Sequence, residues 1–149
     1  MGRVRAGVDV RALASEAEEL WYDTRRWPAF VDGMAHVDNV EGDWPREGRV
    51  VWNAKPGGRG RVVERVEAYE ARAGQSVAVE DEKVWGTQIV AFEPREHGCR
   101  VTLELEYRLK DQKPLMPVVD LLFIRRPMRE SLQRTLVRFR RELEVKDII

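Results

Sequence analysis

Two polar side chains interrupt otherwise apolar strand faces, and they are the first places to look for chemistry. Gln88 lies in GTQIVAFEP (86–94) and Tyr107 in GCRVTLELEYRL (98–109). Alternation along both segments puts the two side chains on the same face of adjacent strands. A buried carboxamide and a buried phenol need hydrogen-bond partners. Each other, a trapped water, or a ligand carbonyl or hydroxyl could supply them. Tyr107 could also act as a general acid in a cyclisation, although no base is readable near it.

The remaining reactive types form no signature. His36, His97 and Cys99 lack metal-ligand spacing, so no metal site is expected. Lys55-Pro56-Gly57-Gly58-Arg59-Gly60 looks superficially like a phosphate loop but lacks the terminal Gly-Lys-Ser/Thr and the following helix. It reads as a hairpin loop that could border a cavity. Glu80-Asp81-Glu82 and Glu93 with Glu96 read as strand-end carboxylates in water, not as a catalytic pair facing a cleft. No catalytic residue is assigned.

The element that must organise the rest is the C-terminal stretch, 114–146. Met128, Leu132, Leu136, Phe139 and Leu143 recur at steps of four and three, which places one apolar stripe on a helix. Such a helix, at about 1.5 Å per residue, is long enough to cross a small domain. Glu130–Arg134 and Glu142–Lys146 are spaced for ion pairing, which leaves Arg125, Arg126, Arg129, Arg138, Arg140 and Arg141 in excess. That basic face could meet RNA, anionic lipid or a partner protein, or simply be solvated with its stems covering apolar surface. Pro127 would either kink a continuous helix or occupy the first turn of a new one. In the second case Met116 to Ile124 becomes a separate apolar lid.

Composition narrows the classes. At 149 residues, 43% of them hydrophobic, the chain can bury a core as one globular domain. Its 26 basic and 26 acidic side chains cancel, so nucleic acid is not an expected partner on charge grounds. With Cys99 the only cysteine, no internal disulfide can form. The N-terminus has no signal-peptide core, and the strongly apolar run Leu121–Ile124 is too short to span a membrane. A cytoplasmic location is expected.

Before the last helix the periodicity changes twice. Residues 3–10 read as a strand, and a helix follows in which Ser15 and Glu18 form a capping-box pattern. Pro28 ends that helix near Arg25 or Arg26, with Trp27, Phe30 and Met34 in a turn or short second helix. Strands are expected over 36–42, 48–55, 60–70, 75–81, 84–94 and 99–109, with turn residues between them. Short loops imply antiparallel neighbours. A two- or four-residue loop at His97-Gly98, the preferred reading, turns Val84, Gly86, Gln88, Val90 and Phe92 toward the side of Val101 and Leu103, whereas a three-residue loop would send Trp85, Thr87 and Ile89 inside. Val50, Trp52 and Ala54 also face inward. Strand 60–70 stays ambiguous: one phase turns Glu64 inward, the other Arg61 and Arg65. The result is an α+β chain with a curved antiparallel sheet of six or seven strands, one or two short helices after the first strand, and a long terminal helix.

LWYDTRRWPAF (20–30), GTQIVAFEP, GCRVTLELEYRL and RRPMRESLQRTLVRFRRELE (125–144) together make the chain resemble the START-like superfamily. This superfamily is also called SRPBCC or Bet v 1-like, and its fold is the helix-grip fold. The polyketide cyclase/dehydrase-like and coenzyme Q-binding-like branches are most similar. The resemblance implies a single START-like ligand-binding domain over 1–149 and a sheet wrapped around the terminal helix. The space between them would hold a small hydrophobic molecule of the lipid, isoprenoid quinone or polyketide class. Trp27, Phe30, Trp52, Gln88, Val90, Phe92, Leu105, Tyr107, Met116, Phe123 and Met128 are then the candidate cavity residues. No cofactor is implied, and a homodimer is left open. The alternatives are a polyketide cyclase or aromatase, and an interaction protein using the arginine-rich helix face.

Overall fold

The computed structural model describes residues 2–111, 119 and 123–145. Elements follow in the order β1 (Gly2–Val10), α1 (Ala14–Tyr22), a 3₁₀ turn (Thr24–Arg26), α2 (Trp27–Phe30), β2 (Met34–Glu41), β3 (Arg49–Ala54), β4 (Arg61–Glu70), β5 (Gly74–Glu80), β6 (Val84–Arg95), β7 (Gly98–Leu109) and α3 (Arg125–Val145). All six expected strands of the meander are present. The N-terminal strand completes a seven-stranded antiparallel sheet in the order β1-β7-β6-β5-β4-β3-β2.

The alternating sequence patterns dictate which face is buried. Arg95 pairs with Gly98, so the β6–β7 loop is the two residues Glu96 and His97. That short loop keeps even-numbered β6 residues on the side of odd-numbered β7 residues, and Val90, Phe92, Val101 and Leu103 are all buried. β4 resolves its ambiguity in favour of Val62 and Glu64, both buried. A register shift between Val66 and Ala68 then changes its phase. Beyond it the half-buried Tyr69 ring stacks edge-on against Tyr22, at 5.7 Å.

The helix start differs from the capping pattern expected at Ser15 and Glu18. α1 begins two residues earlier, and Glu16 Oε1 accepts from the Leu13 backbone N–H at 3.0 Å. Glu18 is drawn elsewhere: its Oε2 accepts from the backbone N–H of Arg72, on the β4–β5 turn, at 2.6 Å. Arg72 sits there at φ 61°, and the bond satisfies its amide.

α3 lies across the inner face with Leu136, Phe139 and Leu143 buried. Phe139 packs edge-on against Trp21 at 5.4 Å and Phe30 at 5.4 Å, which locks α3 to α1 and α2. Pro127 is its third residue, and Phe123 and Ile124 before it form a π-helical turn. The wider turn at Phe123 lies where a proline ring would otherwise strike the carbonyl four residues earlier. Most of the lid expected over Met116 to Ile124 lies outside the described residues.

Candidate functional site

Between the sheet and the helices lies an internal cavity of about 50 Å³. Its sheet side is built one strand at a time: Trp52 from β3, Glu64 from β4, Gln75 and Val77 from β5, Gln88 and Val90 from β6, Leu103 from β7. Trp21, Trp27, Leu132 and Thr135 close it from the helices, with Asp32, Ser131 and Arg59 at its margins. Period-two alternation aims every second strand residue inward, which is why one side chain or two per strand reach this space.

Four sequence candidates converge on the cavity: Trp27, Trp52, Gln88 and Val90. The others are held apart from it. Phe30 is fully buried in the Trp21–Phe139 aromatic group, and Phe92 packs against Tyr22. Leu105 and Tyr107 belong to a second apolar cluster with Val4 and Val84, against which Met128 packs. Tyr107 sits directly over Gly2, where any Cβ would overlap its ring. It is diagonal to Gln88, since its register partner is Gly86, and it does not line the cavity. Phe123 is 69% exposed, because its place in the π-helical turn directs it to solvent. Met116 lies outside the described residues.

The chief addition is Glu64. Its carboxyl is buried, and Oε2 accepts from Trp52 Nε1 at 2.7 Å. Burial raises its pKa above the ordinary carboxylate range, against the opposing pull of the Trp52 N–H and the Arg59 charge. The group is thus biased toward its neutral form, a hydrogen-bond donor as well as an acceptor. The alternation of β4 offered this inward carboxyl as one of two phases. Nothing local could announce its indole partner twelve positions away.

Arg59 connects this centre to the surface. It lies 5.3 Å from the Trp52 ring centroid, and its Nε bonds Asp81 Oδ2 at 2.8 Å. Asp81 is therefore not a solvated strand-end group. It is 6% exposed, and its Oδ1 accepts from the Lys83 and Val84 backbone N–H groups at 2.8 and 2.9 Å. It thus ties the β5–β6 turn to the β3–β4 loop.

Asp32, just after α2, holds α3 in place. It accepts from Ser131 Oγ at 2.7 Å, from Arg134 Nε and Nη2 at 3.1 and 3.0 Å, and from Arg138 Nη1 at 3.1 Å. Its backbone N–H donates to Thr135 Oγ1 at 2.9 Å. Burial pushes the carboxyl pKa up, but the bonds from Arg134 and Ser131 and the charge of Arg138 bring it below the ordinary value.

These contacts revise the basic face. Arg134 and Arg138 pair with Asp32. Glu130 takes Arg126 rather than Arg134, and Glu142 takes Arg26. The expected Glu142 partner, Lys146, lies outside the described residues. Among the described residues, Arg129, Arg140 and Arg141 are the helix arginines that make no ion pair. Also among the described residues, no set of three His, Cys, Asp or Glu side chains is arranged to hold a metal ion, and no helix is long and apolar enough to cross a membrane.

Comparison with known proteins places this architecture. The chain superimposes on TTHA0849 from Thermus thermophilus with a TM-score of 0.80 at 18% identity, covering 97% of this chain and 99% of that one. A START superfamily protein from Mycobacterium smegmatis gives a TM-score of 0.73 at 13% identity, covering 95% and 97%. The di-domain ARO/CYC StfQ of the steffimycin biosynthetic pathway gives 0.74 at 13% identity, with 99% of this chain matching 52% of that one. At such identities the likeness concerns the fold, which is START-like. No curated protein matches the chain. The sequence pattern of one family, described as polyketide cyclase/dehydrase and lipid transport, matches residues 1–144. With the grip of sheet on helix described above, that match makes the chain a member of the polyketide cyclase/dehydrase and lipid transport family.

Proposed function

We propose that the chain binds a small hydrophobic molecule, of the lipid, isoprenoid quinone or polyketide class, in the cavity between the sheet and α3. The observation that carries this reading is convergence. Three indole rings, from Trp21, Trp27 and Trp52, meet two polar groups with spare hydrogen-bonding capacity, Glu64 and Gln88, around one space. Apolar walls with a few orienting polar atoms are the usual make-up of a small-molecule site.

The cavity is about 50 Å³, whereas ligand pockets run to about 300–1,000 Å³. Binding therefore requires the lining to move outward. Leu132, which lines the cavity from α3 and is only partly buried, is a side chain that would have to shift. Tyr107 does not line this cavity; it packs over Gly2 with Val4, Val84 and Leu105.

The test is saturable binding of the uncharged dye Nile red, compared between the wild type and Val90→Phe, a substitution that fills the cavity. Affinity should fall at least tenfold while circular dichroism shows the fold retained. Equal affinity in both proteins would place any hydrophobic binding elsewhere on the surface.

A further inference from the structure

The cavity contains an unusual inventory of unused hydrogen-bonding capacity. Glu64 makes one side-chain hydrogen bond among the described residues, through Oε2 to Trp52; Oε1 has no partner there. Gln88 also lines the cavity, and among the described residues its side chain makes no hydrogen bond. Gln75, by contrast, is tied down, donating through Nε2 to the Pro45 carbonyl at 2.9 Å. Glu64 and Gln88 stand on β4 and β6 with β5 between them, opposite Val79 and Val77 respectively. At about 4.8 Å per strand spacing their backbones lie about 10 Å apart laterally, so two long side chains can converge on one ligand.

We infer that Glu64, braced by the Trp52 indole, and Gln88 form a polar anchor for an uncharged hydrophobic ligand that carries a carbonyl oxygen, with Glu64 donating the hydrogen bond. Ligand charge is decided by what already faces the site. A ligand carboxylate would have to be desolvated beside the Glu64 carboxyl, with the nearest cation, Arg59, already paired to Asp81. A ligand ammonium would need Glu64 ionised, which burial opposes. A carbonyl needs neither, and the neutral carboxyl has a proton to give it. The inference rests on this cavity being the ligand site, and it narrows the class from any apolar molecule to one with an acceptor oxygen, such as a ketone, ester or quinone.

Three probes of one size separate the possibilities by ligand-detected NMR titration: acetophenone, ethylbenzene and benzoate. In the wild type, acetophenone should bind about five- to tenfold more tightly than ethylbenzene, the worth of one hydrogen bond. Benzoate should bind most weakly. Glu64→Leu should remove most of the ketone preference; if that variant does not fold, Gln88→Leu should reduce it by about threefold or more. Glu64→Gln keeps a donor and should keep the preference. The wild type should lose its preference as pH rises and Glu64 ionises, whereas Glu64→Gln should not. The other charged groups bordering the cavity are Arg59, which is held by Asp81, and Asp32, which is held by Arg134 and Arg138. The Asp32 carboxyl, held below its ordinary value by those bonds, is already ionised over that range. Equal binding of ketone and hydrocarbon overturns the anchor and leaves the cavity reading intact. Preferred binding of benzoate overturns it in favour of Arg59. No binding of any probe removes the cavity reading and the anchor with it.

Discussion

Asp32 and Glu64 border the same cavity, one from the helices and one from the sheet, yet their surroundings push them in opposite directions. Asp32 is met by two guanidinium groups, a hydroxyl and a helix that depends on it for position. Glu64 meets one indole N–H and apolar strands. The first carboxyl is held ionised by its partners; the second is held toward its protonated form by burial. A carboxylate surrounded by donors already has its hydrogen-bonding capacity used in holding the fold. A carboxyl with spare capacity inside a cavity can still engage something that enters.

The largest way to break this contrast is Trp52→Ala. Trp52 is 2% exposed, and its loss creates a large void and strips Glu64 of its partner. A cost of about 3–5 kcal/mol in urea unfolding is expected. A cost under about 1 kcal/mol would mean that the Glu64 side of the cavity collapses easily and is not a preformed site.

Asp32→Ala should cost less, about 1–2 kcal/mol, although it deletes more bonds. Arg134 and Arg138 are 51% and 42% exposed, so both return to water rather than remaining buried and unpaired. The sign with pH follows from the lowered pKa. Stability from Asp32 is present above the unfolded carboxylate value, about 3.9, and is lost as pH falls through the folded one. The gap between wild type and Asp32→Ala should therefore close in acid. An unchanged gap at pH 2 would show that the hydroxyl bonds, not the charge, are what matter.

Glu64→Gln is the smallest effect and carries the opposite sign. Because its folded pKa is raised, the wild type loses stability as pH rises from the unfolded value, about 4.3, toward the folded one. Glutamine removes that loss and nearly preserves shape. Melting at pH 8 should rise by about 2–4 °C, roughly 1 kcal/mol for a chain of this length, with little change at pH 4. A variant that is less stable than wild type at both values would mean that the ionised carboxylate is the stabilising form.

Much of the fold was legible because antiparallel meanders are built from local rules. Alternation in β6 and β7 and the two-residue turn between them set which side chains face inward. The apolar stripe from Leu132 to Leu143 required a surface to cover, and the sheet is that surface. The site was less legible for the same reason in reverse. The capping box moved because Glu18 found the Arg72 amide 54 positions away, and Arg134 left Glu130 for Asp32, 102 positions away. Phe123 looked like a cavity wall by composition, yet its place in the turn before Pro127 sends it to solvent.

By itself, then, the sequence determined the succession of strands along the chain, most of their inward residues, the long terminal helix and the family to which they belong. Those depend on period, turn chemistry and neighbours close along the chain. Only the tertiary structure decided which polar groups share an environment: that Glu64 meets Trp52, that Asp81 is buried beneath Arg59, and that Tyr107 fills the space over Gly2 instead of facing the cavity. Ionisation and hydrogen-bond capacity are set by neighbours within a few ångströms, and in a sheet of seven strands those neighbours come from distant parts of the chain.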